Sequence, residues 1–137
     1  MANYTAVGRT NYFRVTDDSR YDELFENISA NDGKWDYSQK DANGIIYHCF
    51  AVEGGLDWRE LDEYDSNLDY FIDELQKILP EDEAIIYTEA GHEKHRYVVG
   101  FSLVITSKSI DWIQLPENAL FKAREYLGPN FTTQMEY

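Results

Sequence analysis

Residues 34–53, KWDYSQKDANGIIYHCFAVE, decide the architecture. Their centre, Asp41-Ala42-Asn43-Gly44, ends in an Asn-Gly pair. Both residues tolerate positive φ, as a tight turn between antiparallel strands demands. The spacing predicts a hairpin with arms 34–40 and 45–53. The second arm is apolar at both parities, Ile45, Tyr47, Cys49 and Ala51 against Ile46, Phe50 and Val52, and so reads as a central strand covered on both sides. Gly54-Gly55 ends it.

Working towards the N-terminus, residues 4–15 are rich in Thr, Tyr, Val and Phe and read as a strand with a bend at Gly8. Asp17 and Asp18 supply a helix start, and Tyr21, Leu24, Phe25 and Ile28 recur at helical spacing until Asn31-Asp32-Gly33. A helix over about 18–30 follows. Towards the C-terminus, residues 56–65 (LDWRELDEYD) form an acidic connection with room for a helical turn. Leu68, Phe71, Ile72, Leu75, Ile78 and Leu79 then make one apolar stripe, opened by Ser66 with Asp69 three residues on and stopped by Pro80, which predicts a helix over 66–79.

Residues 84–89 and 96–106 read as a second hairpin around the polar tip 90–95, and 109–115 as a third strand of that group. Pro116 opens a last helix whose apolar side is Ala119, Leu120, Ala123, Tyr126 and Leu127, with Gly128-Pro129 as its stop. The tail FTTQMEY reads as a short strand or a loose end. The order β-α-β-β-α-β-β-β-α predicts one α+β domain over residues 1–137, a mostly antiparallel sheet with about three helices on one face. Parallel crossings remain open within it.

The chain carries a formal net charge of −14, and residues 57–83 hold eleven acids against Arg59 and Lys77, nine of those fourteen charges. A local excess of one sign costs stability by self-repulsion and steers partners of the opposite sign. It disfavours direct binding to nucleic acid or anionic lipid. With 43% hydrophobic and 15% aromatic residues the chain is too apolar for a disordered acidic tail, so it folds. The opening MANYTAVGRTNYF lacks a signal peptide's apolar stretch, and no segment approaches the roughly 20 apolar residues of a membrane helix. With the single Cys49, these features set the expectation of a reducing cytoplasm without disulfides.

Motifs for catalysis are weak. His92 and His95 with Glu89 and Glu93 offer metal-ligand chemistry, but zinc helices space their histidines four apart and here the spacing is three, beside Gly91 at a hairpin tip. His48 and Cys49 are neighbours on a strand and point to opposite faces, so they cannot act as base and nucleophile together. Asp62, Asp65 and Asp69 lack the alternating oxygens and central glycine of a calcium loop. No Gly-x-Ser-x-Gly elbow, phosphate loop or dinucleotide fingerprint is present. The expectation is a non-enzyme without cofactor or metal; a metal-dependent hydrolase using His92 and His95 is the alternative.

The acids themselves are the candidate site. Asp57, Glu60, Asp62, Glu63, Asp65, Asp69, Asp73 and Glu74 would meet arginines and lysines of a partner, with Trp58 and Tyr64 as aromatic anchors. A helix over 66–79 is roughly 21 Å long, and duplex DNA of that length carries about 12 phosphate charges. One helix cannot imitate a duplex. Mimicry needs the 57–65 connection, the 81–83 turn and the Asp22/Glu23/Glu26 face of the first helix on one side. The bland reading is a solvated face that serves only solubility.

The small size, the concentrated acidity and phrases such as YTAVGRTNYFRVTD, ELQKILP and HEKHRYVVGF resemble the small acidic proteins of phages, plasmids and conjugative elements, among them anti-restriction and anti-CRISPR inhibitors. That resemblance implies a protein that occludes a basic surface of a nucleic-acid-binding enzyme such as a defence nuclease, partly as a nucleic-acid mimic. It assigns no individual residue. Exposed sheet edges leave a homodimer possible.

Overall fold

The structure, a computed structural model, describes residues 4–58 and 67–132, without the side chains of residues 96 and 97. The elements are β1 (Thr5–Thr10), α1 (Asp18–Asn27), β2 (Gly33–Lys40), β3 (Ile46–Glu53), α2 (Leu68–Ile78), β4 (Ile85–Glu93), β5 (Arg96–Ile105), β6 (Ile110–Gln114) and α3 (Leu115–Leu127). The order is the one read from the sequence. Six strands form one sheet, β2-β3-β1-β4-β5-β6, and its pairings are all antiparallel.

The 34–53 hairpin forms through its turn chemistry. Gly44 sits at φ 84°, and the Asp41 carboxylate accepts from the backbone N–H groups of Asn43 and Ile45 at 2.9 and 3.0 Å. β3 is an interior strand, lying between β2 and β1, and at the middle of the sheet β1 and β4 join the two hairpins. The alternation of β1 puts Ala6, Gly8 and Thr10 inward and Val7 and Arg9 outward. Gly8 does not bend it. A Cβ there would come within 2.1 Å of the Tyr87 hydroxyl, so glycine makes room for that ring. The strand is also shorter than 4–15, and Phe13 rejoins the sheet only through a backbone bridge to His48. The tip expected at 90–95 is narrower, since β4 runs on to Glu93 and the turn is made at Lys94, φ 53°.

α1 and α2 pack side by side on one face. α1 inserts Tyr21, Leu24 and Phe25, and α2 inserts Leu68, Phe71, Ile72, Leu75 and Ile78. Between them and the sheet runs a chain of rings, Phe25 on Phe50 at 5.6 Å, then Phe50 on Phe71 and on Tyr87 at 6.0 Å each. α1 has no basic residue in its last turn, and β2 supplies one. Lys34 Nζ donates to the carbonyls of Phe25, Glu26 and Ile28 at 2.6–2.8 Å, satisfying orphan acceptors where the helix dipole is negative.

α3 departs from expectation. The stripe Ala119, Leu120, Ala123, Tyr126 and Leu127 predicts a buried side, yet the helix buries no residue. Leaving β6 directly, it touches the sheet at its first turn, where Leu115 lies 3.4 Å from the position a Cβ on Gly100 would take, and its body stays free of the core.

Candidate functional site

The outward surfaces of α1 and α2 form one acidic layer. Together the two helices hold Asp18, Asp22, Glu23, Glu26, Asp69, Asp73 and Glu74 against Arg20 and Lys77, seven acids and two bases. The two bases are spent inside the layer. Arg20 of α1 donates to Glu74 of α2 at 2.9 Å and to the Tyr70 hydroxyl at 2.9 Å, and it also bonds Glu23 within its own helix. Lys77 pairs with Glu74 as well. Hydrogen bonds from Lys77 and Arg20 hold the Glu74 carboxyl below the ordinary range. What remains exposed towards solvent is Asp22, Glu23 and Glu26 on one helix and Asp69 and Asp73 on the other.

The predicted contact residues divide accordingly. Asp69 and Asp73 are exposed on α2 as expected. Glu74 is held by its two cations and half-buried, so it is an internal clamp rather than a contact acid. Asp57 is a correction too: it is 8% exposed, its backbone N–H bonded to Ser29, and it belongs to the wall of the domain. The segment after α1 holds the chain there, through the Ser29 carbonyl and the Ala30–Leu56 bridge, which charge counting along the sequence cannot register. Trp58 is 40% exposed and packs against Trp112 of β6, the rings tilted 56° to each other with centroids 5.2 Å apart. Glu60, Asp62, Glu63, Tyr64 and Asp65 lie outside the described residues.

Cations from elsewhere also reach into the acidic stretch. Arg14 bonds Asp82 at 2.8 Å and Glu83 at 3.2 Å, and Lys108 lies 3.7 Å from Glu81. The 81–83 turn is therefore largely neutralised, and the exposed charge is concentrated on the two helices.

The histidine tip and the other titratable groups are arranged differently from a metal helix. His92 is exposed on β4 and His95 is exposed in the turn, beside Lys94. Glu89 shares none of that surface. At the inward parity of Ile85 and Tyr87, it is 4% exposed and accepts from Tyr87 at 2.5 Å and Tyr4 at 3.1 Å. The regular alternation of β4 is the sequence signal that marks Glu89 as inward.

His48 is 4% exposed and its Nε2 lies 2.6 Å from Asp18. Ligand atoms of Asp22, Asp36 and His48 lie within 4.8 Å of one another beside the middle of α1, an O,O,N set of a kind divalent ions accept. Burial and the charge of Asp22 push the Asp36 carboxyl up, with His48 pulling it down. The fully buried Cys49 bonds the Thr10 carbonyl at 3.3 Å, a core thiol.

Two hollows border Trp58. One of about 480 Å³ is lined by Trp58, Phe101, Trp112 and Pro116; the other lies between Trp58, Trp112 and the α2 residues Asp69 and Asp73. An aromatic step thus adjoins the acidic layer. No protein-family model, curated protein or solved structure matches the chain.

Proposed function

We propose that this is a non-enzymatic binding protein whose α1/α2 layer covers a basic patch on a nucleic-acid-binding enzyme, in the manner of a defence-nuclease inhibitor. The observation that carries this reading is the side-by-side placement of two helices whose own basic residues are consumed within the layer. Packed helices lie about 8–10 Å apart, so the exposed Glu23, Glu26, Asp69 and Asp73 sit on neighbouring helices, with Asp22 on the flank turned to Asp36 and His48. Trp58, at the α2 end of this surface, is the anchor: a half-exposed indole beside charge is the residue type that dominates interface energetics.

Magnitude limits the mimicry. Five exposed acids over about 16 Å of helix compare with about 9 phosphates on the same length of duplex. The layer matches a patch of lysines and arginines, not a whole nucleic-acid channel. Electrostatic steering of such a contact raises the association rate and makes it salt-sensitive.

The test is affinity capture from host lysate at low and moderate salt, with mass spectrometry of the retained proteins. Capture of a basic nucleic-acid enzyme that is released as salt rises supports the reading. Retention of nothing specific at either salt leaves the layer as a solvated surface and removes the proposal.

A further inference from the structure

The back of the molecule is as apolar as its front is acidic. On the sheet face turned away from α1 and α2, Val7, Trp35, Tyr37, Ile86 and Ile113 are 43–59% exposed. Projecting from the same sheet, α3 leaves Leu115, Phe121, Tyr126 and Leu127 at 64–78% exposure. A helix of 13 residues is marginal in water and takes its stability from packing an apolar side. Among the described residues, this one touches the sheet at Leu115 and buries no side chain.

We propose that the occupant of the bare sheet face is α3 of a second copy, so that two chains exchange helices across a two-fold axis. Each surface lacks what the other supplies, and a two-fold axis uses both at once. The dimensions agree: a 13-residue helix is about 20 Å long, and strands of five to ten residues are about 17–33 Å. The area agrees as well. Four of the nine residues are aromatic, each offering about 150–250 Å²; at rather more than half exposure they give roughly 400–500 Å², and the five aliphatic side chains bring the surface towards the roughly 800 Å² per partner of a stable interface.

Charge selects this face over the others. Two chains of −14 repel wherever acids meet; α1 and α2 hold seven acids against two bases on the front, while the register puts Glu53, Asp111 and Arg9 on the back. α3 carries Glu117 and Glu125 against Lys122 and Arg124, a balance of zero. A back-to-back dimer turns both acidic layers outward, leaving them free whatever they bind. The inference stands independently of the partner proposed for that layer.

Sedimentation velocity between 5 and about 200 μM tests it, on the wild type and on two variants chosen at exposed positions, Phe121→Glu/Leu127→Glu in α3 and Val7→Lys on the sheet. The expected result is a wild-type dimer that each variant weakens at least about 100-fold, with unchanged far-ultraviolet circular dichroism. Hydrogen exchange of the wild type adds a readout that needs no variant: α3 amides gain protection as concentration rises. A wild-type monomer at the highest concentration, a dimer indifferent to both variants, or α3 amides whose exchange ignores concentration overturns the proposal.

Discussion

Arg20 on α1 and Glu74 on α2 are joined at 2.9 Å, and this pair makes two acidic helices one surface. Arg20 also reaches Tyr70 and Glu23, and Glu74 takes Lys77 from its other side. The clamp offsets repulsion where the helices approach. Removing it with Arg20→Gln is expected to lower Tm by roughly 3 °C and to make Tm rise with added salt, because screening then takes over the task of the guanidinium. Thermal melts at 20 and 300 mM NaCl check this; a variant as stable as wild type at both would show that the clamp is dispensable.

Glu89 links β4 to the N-terminal strand through Tyr87 and Tyr4. Truncating it leaves two hydroxyls without their acceptor, one of them on the fully buried Tyr87, so Glu89→Ala is expected to cost about 2–4 kcal/mol in urea unfolding. Gly8→Ala acts on the same group from the other side. Its Cβ would displace the Tyr87 hydroxyl, and a loss of about 2 kcal/mol or more is expected.

Alkaline pH reads the same cluster. Burial, followed by the charge of Glu89, pushes the Tyr4 phenol up to about 12, against about 10 in the unfolded chain. A group whose folded pKa is raised contributes stability that is complete below the unfolded value and is lost as pH rises through the folded one. Stability is therefore expected to fall between about pH 10 and pH 12, and Tyr4→Phe to lose part of that slope. Melts across this range, with phenolate absorbance followed in parallel, decide it.

Asp36 has the opposite consequence for its own charge. Burial and Asp22 raise its folded pKa, so the ionised form is disfavoured in the fold, and stability contributed by the proton declines as pH rises through the carboxylate range. Asp36→Asn is expected to be neutral or slightly stabilising at pH 7 and to flatten the dependence above the ordinary carboxylate pKa. Destabilisation by the amide would point to a bond made by the charged carboxylate.

Much of the fold was legible because its signals are local. The Asn43-Gly44 turn, the α2 stripe from Leu68 to Leu79 and the stop at Pro80 each depend on residues a few positions apart. The fate of individual acids was not local. Glu74 is paired with Arg20, 54 positions away, and Glu89 accepts a hydrogen bond from Tyr4, 85 positions away. Asp57 looked like one of a run of surface charges and is in fact walled in beside Ser29. Charge counting marked the acids of both helices, but their meeting at the Arg20–Glu74 pair depends on how α1 and α2 pack. The α3 stripe was read correctly as apolar; its expected burial failed because β6 is the last strand and carries the helix beyond the core.

The most direct measurement compares wild type with the reversal variant Asp22→Lys/Glu26→Lys/Asp69→Lys/Asp73→Lys, all at exposed positions, as baits in one host lysate at low salt. With the variant shown to be folded by circular dichroism, the account predicts that the basic proteins retained by the wild type are lost from the variant. A folded variant that retains the same proteins would contradict it.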